Sequence, residues 1–336
     1  MISYAQNYED LHLERAFAGQ QSGTYIDIGA GNPVHSNVSF LFYLRGWSGI
    51  TVEPNPWLSQ LTAAVRPRDR RIEALIGAAP GEALYHLVEE FHGLSTTVEA
   101  NALAATKEFN RTVKSFPMPV TTLRAICRDS GVNEIDFLKI DVEGAEQAVL
   151  EGNDWARYRP KVIVAEAVAP ITMQPSWDAW EPILLANGYR FVFSDGLNRY
   201  YADEDQPAAG SRIEGKPPSF KGVTQFHTYG PAQGNPQHPD HRLALLFKDS
   251  DLVRLPLLGR AAHVALLTSG MARDQLDRPA NAEAAAAISE RLFGPRHASV
   301  VPPLHRNATI RDLHETIVSS EQFLAACGRI SASNAW

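Results

Sequence analysis

Short apolar runs of strand length alternate with amphipathic helical patterns between residues 24 and 205. The apolar runs predict strands at 24–30, 48–54, 71–77, 134–141 and 161–168. Helices are predicted between them at 38–47, 56–67, 144–152 and 177–189. This alternation is typical of βαβ units, and it predicts a doubly wound α/β fold built on a mostly parallel sheet.

The stretch "RFVFSDGLNRYYADE", residues 190–204, has a different pattern. Two apolar runs flank Asp195-Gly196, which is a strong signal for a tight hairpin turn. A hairpin at the end of a parallel sheet predicts one antiparallel strand. Residues 82–90 also alternate, which indicates an additional β-segment.

The amino-acid composition and the hydrophobic pattern change after residue 205, and they predict three regions in the chain. Residues 1–205 form the α/β domain, and residues 206–240 are rich in Pro and Gly, as in a linker or surface loop. Residues 241–336 are predicted to form a mainly helical module, with helices at 281–294 and 310–327. This module carries no recognisable catalytic motif, so its apolar positions are interpreted as core or as a partner surface.

Composition narrows the classes of function. The 336-residue chain has a net charge of -7, which argues against nucleic acid as the main partner. Its two cysteines, Cys127 and Cys327, lie in no CxxC pattern, which suits a reducing compartment. The amino terminus is polar, and no apolar run approaches the ~20 residues that a membrane-spanning helix needs. We therefore expect a cytoplasmic protein without a transmembrane segment.

The first strand ends in a turn that contains Gly29 and Gly31. A dinucleotide-binding fingerprint needs a third glycine, but that position holds Val34. Pro33 also removes one backbone N–H from the loop that would bind a pyrophosphate. The turn is therefore weak evidence for dinucleotide binding. Binding of another nucleoside cofactor and a turn that binds no ligand are the two alternatives.

Carboxylates accompany this turn. Glu53 ends the second strand, where an acidic residue can accept hydrogen bonds from ribose hydroxyls, although a solvated strand end is an alternative. Asp27 lies inside an apolar strand and needs a partner, such as a cofactor ammonium or local backbone N–H groups.

A further pair of carboxylates, Asp141 and Glu143, leaves the strand at 134–141, at the edge where open α/β sheets bind ligands. Lys139 lies within that strand and is a candidate to neutralise one of them. Capping of the following helix by the two carboxylates is the alternative interpretation.

Several segments occur together in a characteristic order: "SYAQNYEDLHLERAF", "GTYIDIGAGNPVHSNVSFLFYLRGWSGITVEPNP", "IDFLKIDVEGAEQAVLEGNDW", "RPKVIVAEA" and "DGLNRYY". On these motifs the chain resembles the FkbM-type family of S-adenosylmethionine (SAM)-dependent methyltransferases over roughly residues 2–205. The resemblance implies the class I methyltransferase fold, a Rossmann-like seven-stranded sheet with one antiparallel strand. It also implies SAM as cofactor and a hydroxyl of a sugar, glycan or glycosylated natural product as methyl acceptor.

The resemblance also implies roles for particular residues. The cofactor-binding set that it implies is Gln6, Asp10, Asp27, Gly29, Ala30, Gly31, Asn32, Glu53 and Asp141. An alcohol acceptor needs a base to take its proton. The candidate catalytic residues on the acceptor side are Asp141, Glu143, Glu166 and His92. The candidate substrate-binding residues, at the rim of the site, are Asp195, Asn198 and Arg199.

Metal binding and other functions stay open at this point. Asp141, Glu143 and Glu166 offer the hard oxygen ligands that Mg²⁺ prefers, whereas no histidine pair has the spacing of a zinc site. One alternative is a non-catalytic, cofactor-binding scaffold in glycan biosynthesis, with the helical module joining a glycosyltransferase or a second copy of the chain. Another is an NAD(P)-dependent oxidoreductase, which the missing third glycine disfavours. His92 and Asp195 also have interpretations without a functional role. His92 would then be a solvated loop residue, and Asp195 would serve only to form the turn.

Overall fold

A computed structural model of the chain describes residues 1–89, 92–215, 219–294, 305 and 307–335, and for His92 it describes the backbone alone. The strands are β1 (Ile2–Ser3), β2 (Thr24–Ile28), β3 (Ser48–Val52), β4 (Arg70–Ile72), β5 (Leu75–Ile76), β6 (Gly81–Val88), β7 (Val113–Thr121), β8 (Phe137–Ile140), β9 (Val162–Glu166), β10 (Tyr189–Ser194), β11 (Asn198–Asp203) and β12 (Thr224–Gln225).

The α-helices are α1 (Glu9–Ala16), α2 (Phe40–Leu44), α3 (Pro56–Val65), α4 (Glu99–Phe109), α5 (Leu123–Ser130), α6 (Glu146–Glu151), α7 (Glu181–Ala186), α8 (Ala208–Ser211), α9 (His241–Leu246), α10 (Arg260–Leu267), α11 (Arg273–Leu276), α12 (Ala282–Phe293), α13 (Ile310–Val318) and α14 (Glu321–Asn334). Short 3-10 helices lie at His92–Leu94, Trp177–Ala179, Phe226–Tyr229 and Leu255–Leu257. None of the helices in the described ranges has the length and apolar character needed to cross a bilayer.

The chain divides into two compact units. The first comprises Met1–Asn32, Ser36–Ser59 and Arg68–Gln225, and the second comprises Pro33–His35, Gln60–Pro67 and Phe226–Trp336.

The first unit is built on a seven-stranded sheet in the order β10-β11-β9-β8-β2-β3-β4. The pairs from β9 through β8, β2 and β3 to β4 are parallel, and β11 is antiparallel to both of its neighbours. A three-stranded sheet, β5-β7-β6, and the pair β1-β12 complete the strands of this unit.

Alternate residues along the central strands fill two apolar clusters. Ile26 of β2 and Leu138 of β8 belong to one cluster, whereas Tyr25 and Phe137 belong to the other. Side chains of a strand point to opposite faces in turn, so this division shows that both faces of the sheet are covered. A sheet buried on both faces directs polar chemistry to the ends of its strands.

The second unit has a helical core of its own. Leu313, Phe323 and other apolar side chains of α9, α10, α12, α13 and α14 contribute to one buried cluster. Buried Asp240 accepts two hydrogen bonds from the Arg329 guanidinium, each 2.7 Å long. Because both carboxylate oxygens are paired, this ion pair is compatible with its buried position.

The structure departs from the predicted elements in several places. The strand expected at 71–77 is two strands, β4 in the large sheet and β5 in the small one. The helix expected at 310–327 is two helices, because the Ser320 hydroxyl accepts the Phe323 N–H and starts α14. The region expected as a linker contains α8 and β12. Elements α4, α5 and β7 were not predicted.

Candidate functional site

Four parallel strands of the large sheet end at the same edge. Strand β2 pairs with β3 on one side and with β8 on the other, and β9 pairs with β8. The glycine turn follows β2, Glu53 follows β3, and Asp141 and Glu143 follow β8. Glu166 is the last residue of β9. Open α/β sheets bind ligands at such an edge, where successive connections leave in opposite directions.

The glycine turn is fastened to the end of β3. The N–H groups of Gly29 and Ala30 donate to the carbonyl of the last β3 residue, at 3.0 and 3.1 Å. The Gly31 N–H donates to Glu53 Oε2 at 2.8 Å, and the Asn55 N–H donates to Glu53 Oε1 at 2.8 Å. Burial raises the pKa of Glu53 to about 7 even though these two donors favour its charged form. Glu53 therefore connects the two loops expected to hold a nucleoside.

Asn37 organises the far end of the same turn. Its Nδ2 donates to the carbonyls of Ala30, at 2.9 Å, and Asn32, at 3.1 Å. Its Oδ1 accepts the N–H of Phe40, the first residue of α2, at 2.8 Å. The sequence did not reveal the contacts with Ala30 and Asn32, because they depend on how the loop folds back.

Asp27 has partners within the protein. It is fully buried, and its Oδ2 accepts a hydrogen bond from Ser39 Oγ at 2.5 Å. The Lys139 ammonium lies 3.6 Å from Asp27 and 3.2 Å from Asp141, and it donates to the Gly29 carbonyl at 2.7 Å. Lys139 and Ser39 therefore supply the pairing that the sequence analysis assigned to a cofactor ammonium or backbone N–H groups.

The expected neutralisation of one carboxylate of the Asp141 loop by Lys139 is confirmed at Asp141. Burial alone would lower the pKa of Lys139, but the charges of Asp141 and Asp27 together raise it above its usual value. Lys139 is therefore a permanent cation between β2 and β8.

Asp141, Glu143 and Glu166 form a cluster of carboxylates, with one oxygen from each lying within 4.8 Å of the others. Burial, and after it the charge of Asp141, raises the pKa of Glu143 and of Glu166 well above the usual value. Oε2 of Glu143 is buried and has no hydrogen-bond partner among the described residues. Such raised pKa values favour the protonated carboxyl, and a cation that enters the cluster favours the charged form.

Two residues near this cluster were missed by the sequence analysis. Oε1 of Glu146 accepts the N–H groups of Val142 and Gly144, each at 3.2 Å, which fixes the loop after β8. Burial and the charges of Glu53 and Glu143 raise the pKa of Tyr85, whose hydroxyl also hydrogen-bonds with the Ser95 side chain. Tyr85 comes from the small sheet, so no pattern in the sequence linked it to this edge.

The amino-terminal candidates occupy different environments. Gln6 is exposed, and its carbonyl accepts a hydrogen bond from Gln225. Asp10 is fully buried and accepts the Ser3 hydroxyl and the Tyr4 N–H, both at 2.7 Å. Burial raises the pKa of Asp10 to about 6. Both Asp10 oxygens already fasten the amino-terminal segment, so its contact with a cofactor stays a prediction.

The residues expected to bind substrate at the hairpin make internal contacts. Asn198 Nδ2 donates to Glu9 at 2.9 Å, and the Asn198 N–H donates to Asp195 at 2.7 Å. Arg199 pairs with Glu181 at 2.5 Å, and its guanidinium lies over the Trp177 ring. Their binding roles stay predictions. These side chains would have to exchange internal partners for a ligand.

His92 is the remaining candidate. Its backbone begins a 3-10 helix, but its side chain lies outside the described part of the structure. Its role as a base therefore stays a prediction.

An open α/β sheet with a glycine turn and a group of carboxylates at one edge has the arrangement in which open α/β sheets bind ligands. Residues 27–191 match the family model described as the methyltransferase FkbM domain, so the chain carries a methyltransferase domain of the FkbM family. The resemblance on the sequence motifs is thereby confirmed. No curated protein and no solved structure gives a significant match to the chain.

Proposed function

We propose that this domain is a SAM-dependent O-methyltransferase with the class I fold, acting on a hydroxyl group of a carbohydrate or glycoside. The observation that carries the proposal is the grouping of Asp141, Glu143 and Glu166 beside the glycine turn at one edge of the sheet. The FkbM domain supports SAM as the cofactor. The seven-stranded order and the single reversed strand support the class I fold.

The residues present fit SAM in three respects. Each Glu53 oxygen accepts one backbone N–H and retains a lone pair for a ribose hydroxyl. Gly29 and Gly31 have φ angles of 71° and 61°, which allow the backbone to turn tightly where a ligand would approach. The carboxylate cluster complements a cationic sulfonium. When bound, SAM supplies an electrophilic methyl group.

The residues of the chain then have separate tasks. Lys139 pairs with Asp27 and Asp141 and joins β8 to the Gly29 carbonyl. Glu143 and Glu166, with raised pKa values, are suited to accept the proton of an acceptor hydroxyl. Proton removal by a positioned base contributes about 10²–10⁴-fold to such a reaction.

The charge of the site also restricts the acceptor. Any of Asp141, Glu143 and Glu166 that is ionised repels an anionic group, whereas a neutral polyol can donate hydrogen bonds to a carboxylate and accept them from a protonated carboxyl. This favours a neutral sugar hydroxyl over a phosphate or a carboxylate as the group methylated.

A Mg²⁺ ion is the second candidate occupant of the carboxylate cluster. The three side chains offer oxygen ligands within 4.8 Å of one another, but the Lys139 ammonium already lies 3.2 Å from Asp141. A cation bound there would experience repulsion from Lys139. We therefore propose that the hydroxyl is activated by the carboxylates themselves, with methyl transfer unchanged by EDTA.

The first test is binding of S-adenosylhomocysteine (SAH), measured by isothermal titration calorimetry with the full chain. We expect micromolar binding, and absence of binding at millimolar SAH would contradict the proposal. Binding of NADH instead, seen as a change in its fluorescence, would support the oxidoreductase alternative.

The second test follows transfer of a labelled methyl group from SAM to a panel of neutral and anionic glycosides. Glu143→Gln and Glu166→Gln should retain SAH binding and lose about 10²–10⁴-fold in transfer rate. Glu151→Gln, which changes an exposed carboxylate of α6, is the matched control and should transfer normally. Tight SAH binding without transfer to any glycoside would favour the scaffold alternative, with residues 241–336 as the partner-binding module.

A further inference from the structure

The turn after β8 has an unusual backbone conformation. Glu143 has φ 56° and Gly144 has φ 104°, so two successive residues lie in the left-handed region. This conformation is unfavourable for glutamate but not for glycine, because the Cβ of an L-residue crowds the following carbonyl oxygen. Such a conformation persists only where surrounding contacts hold it, and it occurs preferentially at functional sites.

The holding contacts come from the segment between β6 and β7. The Glu143 carbonyl accepts two side-chain hydrogen bonds, from Thr96 Oγ1 at 2.9 Å and from Asn101 Nδ2 at 3.0 Å. Asn101 also packs over Gly144, because a methyl group added to Gly144 would lie 3.0 Å from Asn101 Nδ2. Any side chain larger than that of glycine would therefore press against the donor.

Thr96 is itself fixed. It is buried, and its N–H and carbonyl exchange hydrogen bonds with His86 of β6 at 3.1 and 2.9 Å. Its Oγ1 accepts the N–H of Val98 at 3.0 Å while donating to Glu143. The hydroxyl therefore reaches Glu143 from a segment that is bridged to β6 of the small sheet.

The two donors act on the Glu143 main chain and leave its carboxylate free. Oε2 of Glu143 stays buried without a hydrogen-bond partner among the described residues, within the cluster that contains Asp141 and Glu166. A carboxylate that acts as a base must be held in place while its oxygens stay free to accept a proton. Hydrogen bonds to the main chain of the same residue meet both requirements.

We propose that Thr96 and Asn101 are positioning residues, which hold the strained turn so that the Glu143 carboxylate faces the reacting groups. The inference rests on the proposed function. It assigns part of the site to α4 and to the segment before it, which the order of strands in the large sheet would not suggest.

The test compares the affinities for SAM and SAH, two probes that differ by one methyl group and one positive charge. Calorimetry at pH 8 gives the ratio of the two dissociation constants for each variant. A carboxylate near the sulfonium favours SAM, so loss of its position should lower the preference for SAM about threefold to tenfold. We expect Glu143→Gln and the double variant Thr96→Val with Asn101→Ala to lower it equally.

Three control variants separate positioning from general damage. Thr96→Ser keeps the hydroxyl and should restore the wild-type ratio. Thr106→Val removes a hydroxyl that bonds only to the Ala102 carbonyl within α4, and Leu103→Ala trims an exposed side chain, so both should behave as wild type. Asn101→Ala alone, with an unchanged urea midpoint, replaces the double variant if that variant does not fold.

A wild-type ratio in the double variant, together with a lowered ratio in Glu143→Gln, would overturn the inference and leave the proposed function intact. Failure of the wild-type chain to bind either compound would instead overturn the proposed function. Equal ratios in Glu143→Gln and the wild type would remove Glu143 from the site and overturn the inference with it.

Discussion

Two glycines of one turn provide a sharp test of the site geometry. Gly29 and Gly31 both have left-handed φ angles, but only Gly29 lies against another loop. A methyl group added to Gly29 would lie 2.8 Å from the Asp141 carbonyl carbon and still closer to its oxygen. No described atom lies within 4 Å of a methyl group added to Gly31.

The expected magnitudes follow from this difference. Gly29→Ala and Gly31→Ala each pay about 1–2 kcal/mol for an alanine in the left-handed region. Gly29→Ala also forces the loops after β2 and β8 apart, which adds about 1–3 kcal/mol for overpacking. We therefore expect Gly29→Ala to lose about 2–5 kcal/mol of unfolding free energy and Gly31→Ala to lose about 1–2 kcal/mol.

Tryptophan fluorescence during urea unfolding measures these changes in the first compact unit, which contains the glycine turn. Five of the six tryptophans, at positions 47, 57, 155, 177 and 180, belong to the first compact unit. SAH calorimetry accompanies the measurement, and we expect Gly29→Ala to lose at least tenfold in affinity because it displaces Asp141. Equal destabilisation by both substitutions would refute the claim that the approach of Gly29 to Asp141 determines the arrangement of the two loops.

Three further outcomes are expected. Lys139→Met should lower the unfolding free energy, measured by urea unfolding, by about 3–5 kcal/mol, since it leaves buried Asp27 without its cation. Asn37→Ala should cost about 2–4 kcal/mol by the same assay because it removes several buried hydrogen bonds. Burial raises the pKa of Glu9 to about 7. The folded state therefore holds the Glu9 proton more tightly than the unfolded state does, and the free energy of unfolding falls as the pH rises from about 4.5 through 7. Because Gln does not ionise, Glu9→Gln should make this fall smaller by on the order of 2 kcal/mol.

The Glu9 prediction needs a comparison of unfolding curves at pH 5 and pH 8. Asp10 and Glu53 also have raised pKa values, so the wild-type chain should lose stability over this range through several groups. The difference between Glu9→Gln and the wild type isolates one of them. An identical decline in both proteins would show that Glu9 is already ionised when buried.

The small sheet illustrates what local patterns could not reveal. Strand β7 contains Pro117 and Pro119, which argue against a strand because proline cannot donate a hydrogen bond to a neighbour. In the structure β7 pairs with β6 along its whole length but with β5 only at Val120 and Thr121. The prolines therefore lie where β5 does not require a donor. That arrangement depends on a partner strand elsewhere in the chain.

The sequence by itself determined the elements whose signals are local. Apolar runs indicated β2, β3, β8 and β9, and Asp195-Gly196 indicated the hairpin, because side-chain period and turn chemistry operate within a few residues. Its ordered motifs were also enough to indicate the FkbM family.

Tertiary structure alone decided which groups meet. Lys139 reaches Asp27 and Gly29 across more than a hundred residues because β8 pairs with β2. Thr96 and Asn101 reach Glu143 from the segment after β6, where Thr96 is bridged to His86. Charge pairing and strained turns depend on distance in space, and strand pairing brings together residues that no sequence period connects.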